Sequence, residues 1–412
     1  GRTRTDELDG WRIDAGAQLF GSMFTRVMEL ARDLGLGGDL VRSSGRDALW
    51  RGGRAHEVVY GSVTSMLASG GLPLRTKVRL GTTYVPFLSR HADVLGMAAP
   101  DRAAAAGLDR RSIAEWGERE MGPEFVDYLV YPQLASYYGS LPEETSEGLY
   151  HVLAHEGMNV GLYALRGGIG RLCDAMLERV RAGGGDARLG TAVRGVEPSS
   201  DGVRIALGGD QEEAFDAAVV AVPAPVAREL LGEAVPLLTD RLAAVRSRAA
   251  LTVALLLDRP VGVRFFGLSF PRAESRWVAA ACVEENKGAG LVPAGKGLVV
   301  AFIRPDVAPD LVEADSRRIV DGILPELRSA FPGLEGTISR ARVYRWHEGH
   351  PIFYPGYLRL SGELRCGAGE GELPIALAGD YQHSSSVEGA VVSAMAAADR
   401  LHARLTSAGA GA

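Results

Sequence analysis

Cysteine is nearly missing from this chain. Cys173, Cys282 and Cys366 are its only three in 412 residues, far apart and odd in number. With no CxxC pair there is neither a disulfide framework nor zinc-ligand spacing, and a reducing cytoplasm is the expected setting. Eight histidines occur, none in HExxH or comparable spacing, so no metal is expected. No apolar run reaches the ~18 residues of a spanning helix, and no signal peptide opens the sequence. An excess of basic charge is also absent. At a net charge of -6 nothing in the composition calls for a nucleic-acid partner. Lysine occurs only three times against abundant Arg, Ala and Gly, which reads as coding bias. No Ser/His/Asp or Cys/His set stands out, which counts against hydrolases.

What is present is enough apolar material for two domains: 46% of the residues are hydrophobic. Turns and a short strand at Trp11 to Asp14 fill the first twenty residues. A helix is predicted from Phe24 to Leu34, closed by Gly35. A hairpin is predicted from Ala48 to Val59 around Gly52-Gly53. Residues 62 to 153 read as mostly helical. Gly167-Gly168 opens a helix from Leu172 to Arg181, and strands follow near Asp186 to Val196 and Val203 to Leu207. The continuous apolar run Ala217 to Val222 suits a buried strand. Leu251 to Leu257, Arg276 to Val283 and Gly297 to Ile303 read as sheet strands, and Asp315 to Phe331 as an amphipathic helix. The Ala/Gly-rich tail, 408 to 412, reads as disordered.

The most informative stretch is the last strand-to-helix turn, Leu373 to Arg400. A short apolar run ends in Gly379-Asp380, a polar loop follows, and a small-residue helix starts near Val387. Glycines let backbone approach a large planar ligand. A helix start offers unpaired N–H groups to electron-rich groups. Asp380 can accept from a hydroxyl chain. This equipment suits a flavin and points to an oxidoreductase.

Five segments in order then resemble the flavin amine-oxidase and protoporphyrinogen-oxidase superfamily: Gly1-Arg2-Thr3, Asp14-Ala15-Gly16-Ala17-Gln18, Arg166 to Leu172, Val219 to Pro223, and Gly379-Asp380 with Val387-Glu388-Gly389-Ala390. The resemblance implies FAD as cofactor, with Arg2 against its pyrophosphate and Gly16, Ala17, Gln18 and Leu19 along the flavin edge. It implies Val193 clamping adenine through its main chain and Trp346 beside the flavin. Gly379 and Asp380 would lie at ribitol and phosphate, and Val387, Glu388, Gly389 and Ala390 at the pyrimidine end. No side chain is assigned as catalytic, since the cofactor carries the redox chemistry. The histidines His347 and His350, near Trp346, are not assigned a role.

The implied fold is α/β: a Rossmann-like FAD-binding domain interwoven with a mixed-sheet substrate domain and a helical insertion. The FAD-binding domain is N-terminally truncated, because the strand–GxGxxG–helix that opens this family is not found. The sequence therefore reads as a fragment that would hold FAD poorly as it stands. The FAD-binding part is expected at 1–60, 165–225 and 340–405, the helical insertion at 61–164, and the substrate-domain sheet and helix at 226–339. The aligned strand Ala250 to Leu255 lacks the lysine of several amine oxidases, and Cys366 lies outside their flavin-attachment context. Both points favour a protoporphyrinogen/coproporphyrinogen-oxidase-like enzyme. It would pass a hydride from an apolar or tetrapyrrole-like substrate to flavin N5, with dioxygen or another acceptor reoxidising the ring. An amine oxidase or carotenoid desaturase stays open as an alternative, as does a flavin-free scaffold lacking the nucleotide site. The stretch Leu80 to Leu95 is compatible with peripheral membrane contact.

Overall fold

In the computed structural model, residues 1–158, 160–209, 211–367 and 373–409 are described, with no side-chain account at 408 and 409. The largest unit is a seven-stranded mixed sheet. Its order is Ile338–Ile352, Arg246–Leu257, Gly297–Ile303, Val278–Val283, Gly267–Ser269, Arg46–Arg51 and Arg54–Val59. Neighbours run antiparallel except Gly267–Ser269 beside Arg46–Arg51. Alternation along the central strands serves two cores. Val253, Leu255 and Val299 face the amphipathic helix Ser316–Ala330 through Ile319, Ile323 and Leu327. Ala254, Leu256 and Val300 face the N-terminal hairpin through Trp11 and Ile13.

That hairpin pairs Thr5–Leu8 with Trp11–Asp14, and the Trp11 indole N–H donates to Gly297 O at 3.0 Å. A third core joins the helical layer between Val63 and Gly157 to the helix Thr25–Asp33 and to a parallel strand pair, Ala218–Val220 beside Ile375–Leu377. The helix Val387–Gly409 follows this pair. An antiparallel meander spans Val193–Ser199, Gly202–Leu207 and Glu212–Phe215.

Most predicted elements are present within a few residues of their expected ends. The strand expected from Asp186 begins only at Val193, because Gly190 has a positive φ and the preceding stretch turns. The large sheet also takes Arg46–Val59 and Ile338–Ile352 from segments that the sequence assigned to the cofactor-binding part. It does so because Ile338–Ile352 is long enough to pair along all of Arg246–Leu257. Conversely, the helices Ala224–Leu231 and Pro236–Ala243 bury Leu231, Leu238 and Leu242 in the third core rather than on the sheet. Backbone at 408 and 409 continues the last helix, whereas 410–412 of the expected disordered tail lie outside the described residues. Among the described residues no helix is long and apolar enough to cross a membrane.

Candidate active site

A cleft of about 700 Å³ opens where the N-terminal hairpin, the C-terminal turn and the large sheet meet. Arg2, Gly16, Ala17, Gln18, Leu19, Trp346, Asp380, Val387 and Ala390 all line it. Residues more than three hundred positions apart in sequence thus converge. The Arg2 guanidinium forks onto Asp380 at 2.8 and 2.9 Å and donates to Gly349 O at 2.7 Å. A two-pronged charged contact of this kind fixes orientation as well as distance.

The glycines of the motifs serve the chain's own packing. A Cβ on Gly16 would stand 2.2 Å from Arg2 O, and Ala17 N–H donates to that same carbonyl. A Cβ on Gly389 would stand 2.1 Å from Ser384 O, and one on Gly379 2.2 Å from the Tyr381 ring. These contacts pull the Gly16 turn and the C-terminal turn tight enough to form the cleft wall. Ser386 precedes the last helix, and its Oγ accepts from Gly389 N–H, a helix-start cap.

Three expected site residues lie apart from the cleft wall. Val193 is 38% exposed at the edge of the meander. Glu388 is buried, and its carboxylate accepts from the N–H groups of Arg26 and Val27 at the start of helix Thr25–Asp33. There it satisfies donors that the helix itself leaves unpaired. Gly389 contributes packing against Ser384, as above. Gly379 adjoins the wall, with its N–H on Ser393 Oγ at 2.9 Å.

Behind the Gly16 turn is a cluster that the sequence reading passed over. Lys287 is fully buried, and its ammonium donates to Asp14 Oδ2 at 2.7 Å, Gln18 Oε1 at 2.8 Å and Glu284 Oε2 at 3.0 Å. Asp14 Oδ1 accepts from Thr5 Oγ1 and from Ile169 N–H, while Gln18 Nε2 donates to Asp14 O. One lysine therefore ties the hairpin, the cleft-lining glutamine and the Gly168 turn together. Burial pushes the Glu284 carboxyl up to about 7, against the pull of Lys287. Burial alone would lower the Lys287 ammonium, but Asp14 and Glu284 hold it above its ordinary value. The available signal was its rarity: Lys287 is one of three lysines, in the sequence Glu284-Glu285-Asn286-Lys287.

His350 also lines the cleft. It is half-buried, with Nδ1 3.1 Å from Ser385 Oγ, and Gly139 lies so close that a Cβ there would meet the imidazole. Burial, then Arg2 and Arg248, lower its pKa to about 3, so the ring is neutral. The Trp346 indole N–H is buried without a protein acceptor, a donor that a polar ligand in the cleft can satisfy. The cleft's volume, its close-packed glycine turns, this free donor and the Val387 helix start fit a flavin and its ribityl chain. Among the described residues no group of three His, Cys, Asp or Glu side chains could hold a metal ion.

The far side of the cleft is aromatic. Tyr60, Tyr137, Tyr138 and Ser269 separate it from a second pocket of about 180 Å³ reaching Tyr84, Tyr128 and Tyr150.

The family model for flavin containing amine oxidoreductases matches residues 1–402. A coproporphyrinogen III oxidase of Propionibacterium freudenreichii subsp. freudenreichii is 22% identical, covering 97% of this chain and 84% of the relative. A protein of the same description from Bacillus subtilis (strain 168) is 23% identical over 94% of this chain and 85% of its own. Cyclohexylamine oxidase from Brevibacterium oxydans IH-35A shares the fold, with a TM-score of 0.74 at 19% identity over 98% of this chain and 91% of that one. The architecture is thus that of FAD-binding oxidases, a Rossmann-like cofactor part with a mixed substrate sheet. The chain belongs to the flavin-containing amine oxidoreductase family and is an FAD-dependent oxidoreductase.

Proposed function

We propose that this enzyme oxidises a porphyrinogen, in the manner of a coproporphyrinogen III oxidase. The observation that carries the reading is the near full-length similarity to two proteins of that description, joined to a cleft of about 700 Å³ with an aromatic far side. Bound FAD supplies the hydride-accepting ring. The chain's own residues do the rest. Arg2 and Asp380 brace each other at the ribityl and phosphate side. Gly16, Ala17, Gln18 and Leu19 run along the ring edge, with Lys287 fixing Gln18 from behind. Trp346 N–H and the Val387 helix start offer donors. The aromatic wall excludes water and presents apolar surface to the substrate. Reoxidation by dioxygen or another small acceptor, a cytoplasmic setting and peripheral contact with a membrane surface belong to the same proposal.

A second reading, amine oxidation, is favoured by one observation. The cationic side chains on the cleft wall are Arg2 and Arg4, and each is already paired with an aspartate. A substrate rich in carboxylates would find few free partners there, whereas a neutral or basic amine needs none. The test is to express the protein from its full genomic reading frame, load it with FAD, and add coproporphyrinogen III or cyclohexylamine without oxygen. Loss of the oxidised flavin band near about 450 nm with the porphyrinogen supports the main reading. Loss with the amine alone replaces it with the second.

A further inference from the structure

Asp47 is a buried carboxylate at the junction of the two cavities. It sits on the strand Arg46–Arg51, 6% exposed, on the wall of the smaller pocket. Its Oδ1 accepts from Gly267 N–H at 3.0 Å, and its Oδ2 accepts from Tyr137 Oη at 2.8 Å. Tyr137 faces both cavities, 37% exposed, and its ring packs 5.2 Å from that of Tyr60. Tyr137 is carried on a π-helical turn, Leu134–Tyr138, which ends at Gly139 with a positive φ. A widened turn of this type costs helix geometry and is found frequently at functional sites. Here it brings Tyr137 onto Asp47 and Gly139 against His350.

We infer that Tyr137, with Asp47 behind it, is the proton acceptor for an N–H group of the substrate. The inference rests on the oxidase reading above. Both substrate classes considered there share one chemistry: an N–H and a C–H are lost and a C=N bond forms, directly or through a conjugated ring. The C–H leaves with its electron pair as hydride to the oxidised flavin. The N–H bond breaks and its pair closes the C=N bond. Its proton goes to Tyr137 Oη as Tyr137 passes its own to Asp47 Oδ2, and Asp47 ends as the neutral acid. Charge and atoms balance, and no further reactant is needed.

The groups facing Asp47 from the elements packed on it are Tyr60, Tyr137 and Cys282. Loss of solvation raises all three, so they are neutral at ordinary pH. Burial likewise pushes the Asp47 carboxyl up to about 6, against the hydrogen bonds from Tyr137 and Gly267. Such a group is ionised and ready to accept at neutral pH, but is filled just below it.

The test measures anaerobic flavin reduction by stopped flow in the FAD-loaded protein, with coproporphyrinogen III in one arm and cyclohexylamine in the other. In the unaltered enzyme the rate should fall about tenfold per pH unit on the acid side of pH 6. Asp47→Asn and Tyr137→Phe should each slow reduction by about 10² to 10⁴ and remove that acid limb. Their flavin spectrum and FAD affinity should stay unchanged. A second readout needs no turnover. Because the folded-state pKa of Asp47 is raised, its ionised form is disfavoured in the folded protein, so Asp47→Asn should raise the Tm of the FAD-loaded protein at pH 8 and leave it nearly unchanged at pH 4. If Asp47→Asn fails to load flavin, Tyr137→Phe carries the kinetic test. Rates within about twofold of the unaltered enzyme, with the acid limb intact, overturn the inference alone. Reduction by neither substrate overturns the functional reading and the inference with it.

Discussion

The two walls of the cleft are made of different material. The wall proposed above for the cofactor is main chain, glycine and charge. Its charged groups are paired, Arg2 with Asp380 and Lys287 with Asp14 and Glu284, while the Trp346 indole N–H and Glu284 Oε1 are buried without a protein partner. The substrate wall is tyrosine and apolar side chain, carried on helices with π-helical turns at Leu80–Tyr84, Val126–Val130 and Leu134–Tyr138. The helices behind it bury polar atoms without protein partners, including Tyr131 Oη and His151 Nε2. A fixed cofactor calls for a rigid cradle whose charges are paired. The wall that meets substrate is the one that changes when substrates change.

Three changes sharpen this contrast, in decreasing order of effect. Lys287→Met removes the one cation from a buried cluster and strands two carboxylates. It should cost about 3–5 kcal/mol, as for other broken buried pairs. The Glu284 pKa is already raised when folded, so this group weakens the fold as pH rises from its ordinary value through about 7. The loss in Lys287→Met should therefore be greater at pH 9 than at pH 5. Thermal melts at the two pH values check it, and equal losses would show that the cluster is not ionic.

Gly16→Ala attacks the same wall through sterics. The new Cβ must push Arg2 O away, an overpacking cost of about 1–3 kcal/mol. FAD titration followed by fluorescence should show affinity weakened by about 10- to 100-fold, at ~1.4 kcal/mol per decade. On the opposite side, His151 is buried among Tyr84, Phe87 and Trp116, and burial lowers its pKa to about 3. A base whose folded pKa is depressed lends stability above its ordinary value near 6.5 that is lost as pH falls towards 3. Between pH 6.5 and 5 this should cost up to about 2 kcal/mol, at 1.36 kcal/mol per unit. His151→Gln should flatten the decline, and an unchanged slope would assign acid sensitivity to His350 and His383, whose pKa values burial lowers to about 3 and 4.

The cofactor wall was the legible one. Gly379-Asp380 and the Val387 helix are contiguous, and their small residues report close approach directly in sequence. Yet the neighbours these glycines approach were not legible. Gly16 makes room for Arg2 O, not only for a ligand, because that contact crosses a hairpin. Glu388 looked like a pyrimidine contact, but its carboxylate reaches a helix start more than 350 residues earlier in the chain. The substrate wall left little local trace. Asp47 stands one residue before the hairpin read from the sequence at Ala48 to Val59, and its parallel partner Gly267 is 220 residues away. Lys287 carries no periodic or motif signal at all. Two of its three partners, Asp14 and Gln18, lie 273 and 269 positions away, and no window along the chain contains them.

The Arg2–Asp380 clamp spans 378 positions, and this sets a timetable for synthesis. At ribosomal speeds of about 5–20 residues per second, Arg2 waits roughly 20–75 s before its aspartate is made. Through that interval the cradle has one half only. The nascent protein has to keep its N-terminal hairpin folded against the sheet strands that appear midway, and at the cofactor site proposed above flavin capture waits until translation has passed the closing turn.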